Sequence, residues 1–538
     1  MVGVAFVSFA LVAALCSSGS FASDQFLYKK MAGPPSEFAD FFQPSSYDAA
    51  QGSRALMLPT VELSPLHLHD DVKFPVDSCS LVVVSMFFDV KQQKHLELSF
   101  TDPTGKEATP DRVVDDYLGF NTGDFYPCMS YMFVKPQVGQ WSMRVSWKLF
   151  DGNKVNSLST SVYFTIAFQE SDLQVWTALR STDLRLGKDI IMEAMIPVPG
   201  GLVDGTGRPQ PNVQMVQDAE VTIVEPDGDT FTKDMKDETN DGIYEAVFRP
   251  LTTGIYNALV TVEGKDQQGN EFARSLWYLF RVAEPSLNLT GSASASLYTH
   301  PVTNAVIINL DVGVKWDPSA NPVYRGYAEV WGVSADDSST EVPVAWVSGM
   351  VQVIKDSSAN RSSANESSPY KVRFELDSRW LDVAKAKAPL QLRNLTFEES
   401  DGFVALVYPT TLPVTTADRR LCEFQPGRAV SEITYEMRNG FNYYRWYYSE
   451  DPTPGKIVLV HGYCSSDVPY STEDFTDAVA FKDFKQSRSN DEFAQRIIEF
   501  AESEHITKFS TASHSHGGIA TLHMYTYYQT GMDATTVS

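Results

Sequence analysis

Cysteine is scarce. The 538-residue chain has five, and one of them, Cys16, lies in an apolar leader. A dense disulfide scaffold is excluded, so the fold must rest on hydrophobic cores, and a prior of roughly 150 residues per domain predicts three or four of them. Positive charge is also in short supply: Lys and Arg total 43 against 68 Asp and Glu, a net charge of −25. Such a surface repels phosphate backbones and anionic headgroups, which excludes nucleic acid as a principal partner. Long apolar runs are missing after residue 16, so stable membrane insertion is not expected. Histidine is sparse too, and the pair before Asp70 and Asp71 is His67 and His69. On a strand both would face one side and offer zinc or copper two ligands, but two histidines without a third ligand do not make a site. A solvated linker is the better reading of that stretch, and no metal or cofactor is expected.

What is present points to secretion. Residues 2–16 are uncharged and apolar, and small residues follow up to Ala22. The stretch is short for a span, and its small-x-small ending suits signal-peptide cleavage after Ala22, although no basic residue stands near Met1. An extracellular chain is expected. Cleavage would leave Cys79, Cys128, Cys422 and Cys464, an even number that suits two disulfides in an oxidising compartment. Three connectivities are open, and proximity in sequence favours Cys79–Cys128 and Cys422–Cys464. Asn288, Asn360, Asn365 and Asn394 each head an Asn-x-Ser/Thr sequon, so glycans are expected there.

Between residues 70 and 412, short β-branched and aromatic runs alternate with Gly, Pro, Asn and Asp, the pattern of β-sandwiches. A signal peptide (1–22) and an N-terminal linker segment (23–69) precede three modules. The first, 70–168, has a strand at 80–89 and another from Gly139 that places Trp141, Met143 and Val145 on one face. Its order of runs resembles the jelly-roll-like domains appended to secreted hydrolases. The second, 169–283, turns at Pro226-Asp227-Gly228 and Asn240-Asp241-Gly242 and looks like an immunoglobulin-like module. Asp237, Asn240 and Asp241 offer oxygens to calcium, but their spacing is not that of a calcium loop, and Asn-Asp-Gly builds hairpins without metal. The third module, 284–412, is β-rich and holds a Ser/Asn-rich loop at 356–369 with two sequons. Trp331, Trp346 and Trp380 would make a sugar-binding platform if exposed, but aromatic residues inside strands belong more often to the core. A connecting segment, 413–454, follows.

From Gly455 the pattern changes. Residues 456–460 are a continuous apolar run of the buried parallel kind, ending in His461-Gly462-Tyr463-Cys464. Ser489-Asn490-Asp491-Glu492 is a capping box, opening a helix with Phe493, Ile497 and Phe500 on one stripe. A second apolar strand, 506–512, ends in Ser513-His514-Ser515-His516-Gly517-Gly518, and a helix-like run continues to Gly531. Strand, loop, helix, strand, sharp turn, helix: this order resembles the first half of an α/β-hydrolase. The resemblance implies a nucleophile elbow, with Ser515 as candidate nucleophile and the backbone N–H groups of Tyr463 and His516 as oxyanion donors. Ser513 stands where the motif has its first Gly. His514 and His516 cannot serve as base, because neighbours of the nucleophile diverge from its hydroxyl. In this fold an acid and then a histidine come later in the chain, and only 23 residues follow Ser515. His523 and Asp533 are expected in or just past the elbow helix, facing away, so the unit (455–538) reads as truncated.

The arrangement over residues 70–538 also resembles the conditioned medium factor family. Tyr327-Ala328-Glu329-Val330-Trp331-Gly332, Val342-Pro343-Val344-Ala345-Trp346, residues 457–466, residues 513–518 and Tyr525-Thr526-Tyr527-Tyr528 carry that likeness. It implies a signal peptide, β-rich modules, a C-terminal hydrolase-like domain and an extracellular signalling role. The expected fold class is multidomain and mainly β, with three sandwich-like modules and a C-terminal partial α/β unit. Two functions are open. One is a secreted glycoprotein related to serine hydrolases, acting on an ester or acyl substrate through Ser515, with acid and histidine missing from this chain. The other is a non-catalytic signalling or binding glycoprotein with a cell-surface partner.

Overall fold

The computed structural model describes residues 28–38, 50–64, 66–88, 96–118, 126–147, 160–205, 207–213, 215–299, 304–315, 323–355, 370–423, 432–440, 455–462, 468–484, 488–528 and 533–534. Two compact units divide the chain. One is Phe42–Glu284; the other joins Met1–Phe41 to Pro285–Ser538.

The unit Phe42–Glu284 holds two β-sandwiches. In the first, alternation along Gly139–Trp147 drives Trp141, Met143, Val145 and Trp147 into one core with Phe74, Phe100, Phe133, Phe164 and Ile166. In the second, strands Val216–Val224, Gly254–Lys265 and Glu271–Val282 pair antiparallel and face the sheet that contains Val175–Leu179 and Ile190–Met195. A buried ion pair joins the two sandwiches. Arg274, fully buried, donates to Asp77 Oδ1 at 2.7 Å and to Ser171 Oγ at 2.8 Å, and its guanidinium lies 4.0 Å over the Phe168 ring.

Several expectations change here. The segment before residue 70 is not a linker in its described parts: Gln51–Ser53 joins a sheet of the second sandwich, while Ala55–Met57 and Val61–Leu63 pair with Thr160–Gln169 of the first. Leu56, Val61 and Leu63 are buried, so their apolar alternation is a core signal rather than a solvated one. His67 and His69 are exposed, His67 with Asp70 at 3.8 Å, and no group able to hold a metal occurs among the described residues. The Cys79–Cys128 disulfide does not form. Cys128 sits opposite Phe87 and Val134 opposite Leu81, which puts the two cysteines at opposite ends of one strand pair. The strand Leu81–Phe87 alone spans roughly 20 Å at about 3.4 Å per residue, and Cys79 lies before its start, so the pair is far beyond disulfide reach. At the calcium candidate, Asp237 accepts the Asp241 and Gly242 amides at 3.1 and 2.8 Å, so its carboxylate closes the turn by itself.

In the second unit a nine-stranded sheet runs from Met31–Gly33 through Glu341–Gln352, Val323–Ser334, Ala386–Glu399, Ala405–Thr416, Leu287–Thr299, Asn304–Val314 and Tyr370–Asp377 to Ile354–Lys355. Trp380 is fully buried and donates Nε1–H to Met437 O at 2.9 Å. The segment 413–454 is thus more than a connection where it is described: its helix Tyr435–Asn439 docks on this module through buried Met437. Trp331 and Trp346 are only half-buried, but Arg393 lies 4.1 Å over the Trp331 ring and Tyr327 stacks on Trp346, so other side chains already engage both. The C-terminal layer is a four-stranded parallel sheet, ordered Ala478–Ala480, Lys456–Val460, Lys508–Ser513, Asp533–Ala534. Helices Asn490–Ser503 and His516–Tyr527 pack with it, and Phe493, Ile497, Phe509 and Met524 form the core.

Candidate functional site

The sharp turn at Ser515 is built from its neighbours upward. Val460 pairs with Ser513 across the parallel ladder, and the His514 amide extends it to Val460 O at 3.0 Å. The chain then reverses into the helix His516–Tyr527 with Ser515 at its N-cap, φ 53° and ψ −126°. A non-glycine residue there is strained, and the strain holds the exposed Ser515 hydroxyl at the tip of the turn. Gly517 lets strand and helix approach: a Cβ would stand 2.2 Å from His461 O, whereas one at Gly518 would meet nothing within 4 Å. Ser513 is accommodated because its hydroxyl donates to Thr521 Oγ1 at 2.8 Å, while Thr521 donates to Gly517 O at 2.7 Å. The hydroxyl missing from a glycine motif is here tied into the helix it would otherwise crowd.

Two of the surrounding histidines, His461 and His516, pack against aromatic rings. His461 is 1% exposed and stacks on Phe481 with an interplanar angle of 2°. Its Nε2 accepts the Asp483 amide at 3.1 Å, so the proton resides on Nδ1, which donates to Gly462 O at 2.7 Å. Both ring nitrogens are occupied, and burial holds the ring's proton affinity below the usual histidine range. His516 stacks on Phe493, and burial again lowers its proton affinity, opposed by a hydrogen bond to the Arg488 backbone. The amide of His516 heads the helix beside Ser515. Tyr463 and Cys464 lie outside the described residues, as do Asn360 and Asn365. Cys422 is exposed, its thiol 3.8 Å from Asp418 O. Asn288 is exposed on its strand, and Asn394 Nδ2 donates to Glu329 Oε1 at 2.8 Å.

A second cluster, not evident from the sequence, centres on Asp491. This buried carboxylate accepts four hydrogen bonds: from Tyr28 OH at 3.0 Å, Gln495 Nε2 at 3.0 Å, Tyr528 OH at 2.7 Å and His523 Nε2 at 3.0 Å. Burial, then the neighbouring carboxylate, pushes both tyrosine hydroxyls far above their ordinary proton affinity. Tyr28 comes from the N-terminal segment, which continues with Lys29 N–H on Tyr527 O at 2.7 Å and with Met31–Gly33 on the nine-stranded sheet. His523 lies eight residues beyond Ser515, about 12 Å along a helix, so it does not reach the turn.

The architecture defines a class: a multidomain, mainly β protein of immunoglobulin-like modules. Models of conditioned medium factor domains match in order along it, the second Ig-like domain at 173–282, the third at 325–441 and the C-terminal domain at 452–538. The chain belongs to the conditioned medium factor family. It is 27% identical over 557 residues to conditioned medium factor of Dictyostelium discoideum, covering 94% of this chain and 77% of that protein. Among solved structures, a DUF4785 family protein from Legionella pneumophila shares 12% identity at a TM-score of 0.43, covering 72% of this chain and 92% of that one. The Bacillus licheniformis lipase BlEst2 in propeptide form shares 16% identity at a TM-score of 0.28, covering 43% and 42%. Likenesses this low carry no argument about the site.

Proposed function

We propose that the chain is an extracellular signalling or binding glycoprotein of the conditioned medium factor type that acts without catalysis. Its family membership supports the role, and its apolar leader and sequons fit a secreted route; among the described residues no helix is long and apolar enough to cross a membrane. The observation that carries the non-catalytic reading is the occupancy of the histidines. His461 has both nitrogens engaged and His523 is bound to Asp491, so neither is placed to take the Ser515 proton. A serine hydroxyl that keeps its proton is a poor nucleophile. Purified protein added to responsive cells should be equally potent as wild type and as Ser515→Ala; a loss of potency in the variant would refute this reading.

One observation favours the second reading, a serine-hydrolase relative. The φ 53°, ψ −126° conformation of Ser515 at a strand-to-helix turn is the geometry an α/β-hydrolase elbow requires. On that reading Ser515 attacks an ester or acyl carbon, and the amides of His516 and Tyr463 hold the oxyanion. Activity-based labelling of the full chain, wild type against Ser515→Ala, separates the two.

A further inference from the structure

Strand Glu271–Val282 carries two kinds of surface on one face. Near its start, Ala273 and Ser275 are buried, Ala273 within the core of the first sandwich. Two and four residues on, at the same side-chain period, Trp277 is 38% exposed and Leu279 58%. The neighbouring strand extends this open part: Leu259 pairs with Trp277, and Ile255, 52% exposed, pairs with Arg281 one step past Leu279. The first sandwich thus covers one end of an apolar face and leaves the rest to solvent. A tryptophan among aliphatic neighbours at the margin of an existing interface has the composition of a binding anchor.

The end of the same sheet face nearer the buried Ala273, which pairs with Glu263, is acidic. Asp218 pairs with Glu263, Glu220 with Asp234, and Lys265 with Glu271, and all four of the carboxylates Asp218, Glu220, Glu263 and Glu271 are exposed. Like charges opposite one another on adjacent strands are unfavourable, which is visible in Glu263: partial burial first, then Asp218, Glu220 and Glu271, raise its proton affinity. Cationic side chains would relieve that repulsion.

We infer that this outward face of the second Ig-like module, Trp277, Leu279, Leu259 and Ile255 flanked by Asp218, Glu220, Glu263 and Glu271, is a docking surface for a protein partner that presents an apolar strip beside Lys or Arg. Charge selects this occupant over the others. Two copies of the chain, each at −25, would bring like charge together, and an anionic membrane would be repelled. The apolar residues supply affinity; the carboxylates supply orientation and salt dependence. The inference is independent of Ser515.

The test titrates the full chain by calorimetry with a short peptide of alternating Leu and Lys, and with its Leu-Glu counterpart. Trp277→Ser with Leu279→Ser, and separately Glu220→Lys with Glu263→Lys, change only outward-facing side chains, and circular dichroism checks that both pairs fold. The expected result is binding of the Leu-Lys peptide alone, weakened about tenfold or more by each pair and weakened by salt in the wild type. Equal binding of the Leu-Glu peptide, unchanged binding in both variant pairs, or no binding to the wild type would overturn the proposal. A wild-type dimer that dissociates in Trp277→Ser with Leu279→Ser would overturn it in favour of a second copy.

Discussion

Two clusters of chemically capable side chains lie about two turns apart on one helix, His516–Tyr527. At its N-terminus Ser515 is exposed, strained and close to the parallel sheet, yet nearby His461 holds a loop through both ring nitrogens and His516 packs on Phe493. Farther along, His523 pairs with Asp491 and two tyrosines, the residue types of a proton relay, but all are buried and serve to hold residues 28–33 against the C-terminal layer. Among the described residues, one cluster has a candidate nucleophile and no histidine placed as its base; the other has a histidine–carboxylate pair buried away from solvent. Residue type does not separate them. Burial and partner assignment do.

The largest expected effect falls on the buried cluster. Asp491→Ala would leave the hydroxyls of Tyr28 and Tyr528, the His523 ring and the Gln495 amide without their common acceptor, at a cost of about 3–5 kcal/mol. Hydrogen exchange on the full chain should show lost protection in Asn490–Ser503 and in Met31–Gly33 together, which would tie the N-terminal segment to this carboxylate. Protection lost in the helix alone would break that link.

At the turn the effects are smaller and locally specific. Gly517→Ala forces a Cβ onto the His461 carbonyl and should cost roughly 1–3 kcal/mol, whereas Gly518→Ala, with open space around it, should be neutral or gain up to about 1 kcal/mol. Equal effects at the two glycines would disprove the close approach, and denaturant midpoints with local exchange rates measure them. Acid should weaken the same region. Burial makes His461 and His516 poorer proton acceptors when folded, so the unfolded chain takes up protons first as pH drops. Their contribution is complete above about pH 6.5 and is lost as pH falls through the depressed folded values. Exchange in Lys508–Ser513 compared at about pH 7.5 and about pH 5.5, after correction for intrinsic rates, should show this, and His461→Gln should flatten it. The smallest change is Ser515→Gly, which relieves the positive φ and should stabilise the turn by about 1 kcal/mol or less.

Much of the turn was legible because it depends on local chemistry. The apolar run at 456–460, the Ser489 cap on Asn490–Ser503 and the small residue at Gly517 are signals read within a few positions, and each appears in the structure. Ser513 was harder, since its fit depends on Thr521 one helix face away. The Asp491 cluster was not legible: Tyr28 and Asp491 are 463 positions apart, and neither residue carries a local pattern that names the other. The same limit undid the Cys79–Cys128 pairing, where proximity in sequence stood in for a register that separates the two. The short strands at 51–63 were missed because each joins a sheet whose other members lie far along the chain, so their pattern looks like a linker when read alone.

The non-catalytic reading is tested most directly by a fluorophosphonate probe, which labels only a serine whose proton has been taken by a base. The purified chain should incorporate no more probe than Ser515→Ala at neutral pH. Stoichiometric labelling that disappears in Ser515→Ala would show an activated nucleophile, contradict the non-catalytic reading and establish the hydrolase one.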